Sequence, residues 1–186
     1  RCKTLDAFAD GYVRSESCDA CCLTGVPTDG GQSAKPIQLS GTAVNQDGRT
    51  SSLTAPNGPS QTRVIMSALA RAQLKPANMC SLELHGTGTP LGDPIEVGGA
   101  LSVLGQVGVF TLRSLKSSMG HAECAAGMAG LIWASYGVES QRQPGIMHLR
   151  SINMHVWHAI STQHVLDNTV GMARETAASI EYCQNE

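Results

Sequence analysis

Apolar residues fall into short clusters separated by polar, glycine-rich stretches, and the spacing inside each cluster separates helices from strands. Val64, Ile65, Ala68, Leu69 and Ala72 recur at the three- and four-residue steps that line one helix face, which predicts a helix over about 59–73. Pro59 suits a first helical turn, where its missing N–H costs nothing, and Pro76 stops the element. Residues 80–84 read as a short strand ending at His85, 93–104 as a helix, 109–115 as a strand and 117–120 as a turn. The stretch 123–138 is rich in Ala, Gly and Met with few charges, which predicts a buried helix. Nearer the start, an Asp-Gly turn signal stands at 10–11, 18–23 reads as a short strand, and 37–44 is compatible with another. Residues 24–35 read as a surface loop, and 45–59 is polar and rich in turn residues. After Gln141 the pattern weakens. Alternation of strand and helix indicates an α/β architecture.

Composition narrows the class. A length of 186 residues allows one domain and a little more, enough to bury a core. With 41% apolar and 15% charged residues, the chain is not of the disordered type. Thirteen basic residues against fifteen acidic ones give a net charge of −2, so no basic excess drives nucleic-acid or anionic-membrane binding. Aromatics, at 4%, are too few for platforms that stack bases. The longest weakly polar run, 125–138, is too short to span a bilayer. No stretch has the order of a signal peptide, so an intracellular protein, cytoplasmic or organellar and not secreted, is expected. Seven cysteines, an odd number, read as mostly reduced thiols. Cys18, Cys21 and Cys22 cluster but lack the second pair that a zinc site needs, and they read as small apolar residues of a buried strand.

Three stretches carry candidate chemistry: HGTGTPLGD at 85–93, KSSMGHAE at 116–123, and the polar loop at 45–48. The first two each place a histidine in a glycine-rich turn between a predicted strand and a helix, where α/β folds carry functional groups. The 86–91 stretch has no glycine where a dinucleotide fingerprint needs its third one. Asp93, Glu96 and Glu123 near the histidines could contribute to a metal site, but no local pair fixes that geometry. Cys124 stands three residues beyond His121, close enough for a nucleophile–base pair, against the simpler reading of a small residue in a packed Ala/Gly helix. What remains is His85, His121 and Lys116. Two neutral imidazoles can each donate an N–H to one oxygen and stabilise an enolate or a tetrahedral oxyanion. By residue chemistry alone, each histidine is equally compatible with a structural role.

At these residues the sequence resembles the β-ketoacyl synthase (ketosynthase) domain of type I polyketide synthases and animal-type fatty acid synthases. The resemblance rests on GTAVNQDGRTSSLTAPNGPSQ at 41–61, ELHGTGTPLGDPIEVGGAL at 83–101 and LKSSMGHAECAAGMAGLI at 115–132, with weaker support at 6–18 and 148–156. It implies a thiolase-like α-β-α-β-α sandwich, here mainly its C-terminal half. It also implies decarboxylative Claisen condensation of an acyl thioester with a malonyl-type extender. By that pattern His85 and His121 serve decarboxylation and enolate stabilisation, with Lys116 in support. Thr87 and Thr89 shape the turn and contact the phosphopantetheine arm, while Asp93 and Glu96 support and pack. No cofactor or metal is bound directly. The substrates ride on the phosphopantetheine of an acyl carrier protein, and a homodimer is expected for the full ketosynthase.

Departures from the family pattern shape the expectation. None of the seven cysteines stands in the nucleophile's motif, and the glycine-rich stretch expected downstream is absent. Ser118 replaces a usual asparagine, and Ser15 and Ser17 replace usual glycines. Together with Arg1 at the first position, these features predict a ketosynthase piece. Residues 1–35 are the tail of the N-terminal half with a shortened loop, 36–158 the C-terminal half and 159–186 a divergent tail. Such a piece is expected not to condense, for want of the acyl-accepting cysteine. The alternative is a non-condensing decarboxylase or a carrier-protein-binding pseudo-ketosynthase.

Overall fold

The structure, a computed structural model, describes residues 1–25, 37–50, 56–105, 111–142 and 144–162. From residue 58 to residue 140 the predicted alternation of helix and strand holds. Helix α1 spans Gly58–Ala72, strand β1 Ser81–Glu83, helix α2 Gly92–Leu104, strand β2 Thr111–Arg113, helix α3 Lys116–Met119, helix α4 Ala126–Ser140 and helix α5 Met154–Thr162. Short 3-10 turns stand at Pro76–Asn78 and Glu123–Ala125. Helix α1 begins where the Asn57 side chain accepts the Ser60 amide and ends at Gln73 in the left-handed conformation. Strands β1 and β2 pair in parallel, with Ser81, Leu82 and Glu83 opposite Thr111, Leu112 and Arg113.

Helix α2 is the hub. It packs against both α1 and α5. Gly99 brings it close to α1: a Cβ there would lie 3.2 Å from the Gly58 carbonyl oxygen. Leu69, Leu84, Val97, Leu101, Leu104, Val156 and Ile160 form the core together with Leu5, Ile146 and Leu149. The last three come from the two ends of the described chain, so the core closes only when those ends meet. Asp6 makes that junction. Its backbone bridges to Ile152, and its carboxylate accepts amides of Arg150 at 2.8 Å, Ser151 at 3.2 Å and Phe8 at 2.8 Å. Burial opposes its ionisation, but those amides and the charge on Lys3 outweigh it and hold the carboxyl below its ordinary pKa.

Several expectations are corrected. Residues 18–23 form no strand, and Cys18, Cys21 and Cys22 are exposed. Residues 37–44 are likewise without regular structure, and Val44 is 94% exposed. Neither segment finds a neighbouring strand among the described residues, and an apolar run alone cannot make a sheet. Of the predicted 117–120 turn, 117–119 belong to α3 and only Gly120, its C-cap, turns the chain. The helix expected over 123–138 forms, but it is not buried. Ala126, Ala129 and Gly137 face inward, while Leu131, Ile132, Tyr136 and Val138 remain exposed. Helix α5 lies where the pattern had weakened. Most of the predicted 24–35 loop falls outside the described residues.

Replacing Asp6 with Ala strands three amides and is expected to cost on the order of 3 kcal/mol at neutral pH. Because the folded-state pKa is depressed, the stabilisation is present above the unfolded value of about 4 and disappears as pH falls through the folded one. Urea melts of both chains across pH check this. The gap between them should close below about pH 4.

Candidate active site

The two predicted site turns converge because their strands are neighbours in one parallel pair. β1 leads into His85 and β2 into Lys116, so both residues leave the same end of the sheet. The ladder continues one step past the strands, where the Leu84 amide donates to the Arg113 carbonyl at 2.7 Å.

Two carboxylates of α2 shape the turn at 85–89. Glu96 accepts the amides of His85 at 2.5 Å and Gly86 at 2.9 Å. Asp93 accepts those of Gly88 at 3.1 Å, Thr89 at 3.4 Å and, from the N-terminal segment, Leu5 at 2.8 Å. Burial raises the pKa of both acids, with the amide hydrogen bonds opposing it. Thr4 donates its hydroxyl to the Gly86 carbonyl at 2.5 Å. Gly86 and Gly88 have φ of 48° and 78°, and a Cβ on Gly88 would sit 2.6 Å from the Lys3 nitrogen, so glycine is required there. Thr89 accepts the Gly92 amide at 3.2 Å, and Thr87 is buried.

His121 arrives by a different route. Gly120, with φ of 90°, turns the chain out of α3 beneath the Val13 carbonyl, 2.9 Å from where a Cβ would stand. The His121 amide donates to Val13 at 2.8 Å, and its carbonyl accepts from Ser15 at 3.0 Å. The Glu123 amide donates to Nδ1 of the imidazole at 3.2 Å, which assigns the ring proton to Nε2. The ring meets His85 edge to face, with centroids 5.2 Å apart at 88°, and Tyr12 at 5.0 Å and 69°. His85, His121 and Lys116 line a cleft of about 420 Å³, with Glu83 and the first turns of α4 on its walls.

Electrostatics keep both rings neutral. His85 keeps an exposed edge, yet loss of water around the rest of the ring, with Lys116 and His121 beside it, drives its pKa down to about 4. Burial and Lys116 also lower His121, against the pull of Glu123. Lys116 is itself lowered by burial, while Glu96, Glu83 and Cys2 act the other way.

The structure thus brings His85, His121 and Lys116 together and puts Asp93 and Glu96 behind them. The polar loop at 45–48 goes elsewhere: Asn45 donates to the Ser60 carbonyl at 2.7 Å and Ser60 to Gln46 at 2.8 Å, which steadies the start of α1. Cys124 is exposed and makes no hydrogen bond to His121, so neither the packed nor the catalytic reading describes it. No group of three or more metal-ligating side chains stands together among the described residues. Tyr12 and Glu83 were not singled out from the sequence. Glu83 is two residues before His85 on a strand, hence on the same face, and that period was the available signal.

One end of a parallel strand pair thus carries two imidazoles in contact. Residues 37–150 match the beta-ketoacyl synthase C-terminal domain, and the chain belongs to that family. It is 42% identical over 84% of its length to polyketide synthase GfsA of Streptomyces halstedii, and 40% identical over 84% to erythronolide synthase EryA2 of Saccharopolyspora erythraea. It spans 2% and 4% of those relatives. Among solved structures, the Streptomyces albus oxazolomycin ketosynthase domain OzmH KS7 matches with a TM-score of 0.60 at 38% identity, over 63% of this chain and 21% of that one. A ketosynthase of the Bacillus subtilis bacillaene synthase matches with a TM-score of 0.60 at 30% identity, over 63% and 22%. These likenesses bear out the expected fold class.

In an imidazole NMR titration of the folded chain, His85 should remain neutral from pH 8 to about 5 and protonate near pH 4. Lys116→Ala should move both histidine pKa values upward, because it removes the cation that disfavours theirs. Unmoved values would separate Lys116 electrostatically from the pair. The depressed His85 value also predicts stability that falls as pH drops below about 6.5, where the unfolded ring protonates first.

Proposed function

We propose that the cleft is the decarboxylating half-site of a polyketide ketosynthase. The carrying observation is the pair of imidazoles in contact at the cleft, with the Glu123 amide on Nδ1 of His121 leaving its Nε2–H as a donor. A malonyl-type thioester on the phosphopantetheine arm of an acyl carrier protein would enter the cleft. The bond between its α-carbon and carboxylate breaks, carbon dioxide leaves, and the electron pair passes into a thioester enolate. His85 and His121 stabilise the enolate oxygen by N–H donation, and the Lys116 ammonium adds positive potential. Neutrality of both rings matters, since an imidazolium would favour the starting carboxylate as well as the enolate. Thr87 and Thr89 border the turn along which the arm would lie.

In a full ketosynthase the enolate would attack an acyl thioester held on a cysteine, releasing that thiolate as the carbon–carbon bond forms. No cysteine here stands in the motif such a nucleophile occupies. Cys2 is fully buried, and its thiol reaches the Val13 carbonyl oxygen at 3.9 Å. Condensation, the carrier protein and homodimerisation therefore belong to this reading of a longer parent. In the isolated chain it reduces to decarboxylation, and protonation of the enolate gives an acetyl thioester. A carrier-binding pseudo-domain is the second reading, favoured by the exposed serine Ser118 where the family usually has asparagine.

The test offers malonyl-pantetheine and an acyl thioester to the purified chain and follows carbon dioxide and product. Carbon dioxide release without 3-ketoacyl product is expected. His85→Ala or His121→Ala should lower release about 100-fold or more. Ketoacyl product above controls would sink the missing-nucleophile argument, and no release at all would favour the pseudo-domain.

A further inference from the structure

Under the histidine pair lies a layer of charge with no role so far. Glu83 ends β1 and Arg113 ends β2, and the parallel register sets them opposite each other. Arg113 is 2% exposed. Its Nε and Nη1 have no hydrogen-bond partner, and neither has Oε2 of Glu83. Both side chains lie beneath α4. A Cβ on Gly130 would stand 3.6 Å from Cγ of Glu83, and one on Gly137 would stand 2.6 Å from Nη1 of Arg113. These glycines are two turns apart, on one helix face. Helix α4 therefore crosses the two charges with no side chain in between.

An isolated buried guanidinium is costly, and a neighbouring carboxylate is the group that offsets it. Glu83 also has a second task. Its Oε1 accepts the amide of Leu115, the residue just before Lys116, at 2.5 Å. Burial raises the Glu83 pKa, while the Leu115 amide, Arg113 and Lys116 favour its ionised form. The groups that face Lys116 are Glu83 from β1, Glu96 from α2, Cys2 from the N-terminal segment, and the two histidines.

We infer that Glu83, with Arg113 as its counter-charge, is a positioning residue for Lys116: Oε1 holds the N–H of Leu115, the residue before Lys116, and its charge acts on the ammonium across the cleft that both line. The value of this for turnover rests on the ketosynthase reading. The electrostatic link does not.

Side-chain 15N NMR of the four lysines across pH tests it in the full chain. Glu83→Gln keeps an oxygen for the Leu115 amide and removes only charge. It should lower the Lys116 pKa by about one unit, a tenfold change in proton affinity. Glu83→Ala should lower it similarly and also lose the slow exchange of the Leu115 amide. A Lys116 titration unchanged in folded Glu83→Gln overturns the inference. If that variant does not fold, melting temperatures decide. Arg113→Met leaves a buried carboxylate unopposed and should melt low, and adding Glu83→Gln should recover much of the loss. A double variant that melts below Arg113→Met overturns the pairing. No substrate is used, so absent decarboxylation would leave the result standing, and failure here would leave the histidine reading intact.

Discussion

Two carboxylates on the first turns of α2 hold the site in place. Asp93 and Glu96 accept backbone amides from four residues of one turn, His85, Gly86, Gly88 and Thr89, and Asp93 takes Leu5 besides. A turn with two left-handed glycines turns several amides to one side, and two carboxyl groups, with two oxygens each, accept them from a single helix. The clamp therefore sets the direction of His85. It also fastens the N-terminal segment, through Leu5, to the same point. From that segment come Tyr12 and the Val13 carbonyl that seat His121. The geometry of the cleft and the closure of the core thus share one cause.

Charge and burial both favour the neutral form of the imidazoles. Burial alone would lower their pKa values, and a buried lysine lowers them further. That lysine would lose its own proton more readily were it not for Glu96 and Glu83. Carboxylates thus hold the turn by hydrogen bonds and hold the lysine by charge. Neither carboxylate needs to touch a ring nitrogen to act on the cleft.

Much of this was legible in the sequence where local patterns decide. The α1 face, the strand before His85 and the helix from Asp93 were read within a residue or two, because period, proline and glycine act over short range. The cleft was legible as two turns, and the parallel register joins them. What failed depends on distant partners. Residues 18–23 have strand-like composition but no neighbour to pair with among the described residues. Helix α4 has the composition of a buried helix, yet Met128, Leu131, Ile132, Tyr136 and Val138 are only partly covered among the described residues. The junction at Asp6 joins residues from opposite ends of the described chain, and no local spacing announces it. Arg113 in a strand reads as a surface charge, and its burial follows only from the close passage of α4.

The amide of Glu123 on His121 has one more consequence. A ring nitrogen already engaged by a backbone N–H cannot take up a proton without surrendering that bond. Protonation of His121 at Nδ1 therefore carries the added cost of that lost hydrogen bond, a cost set by the backbone and not by any charged neighbour. The neutral ring with its hydrogen on Nε2 is the form this loop favours.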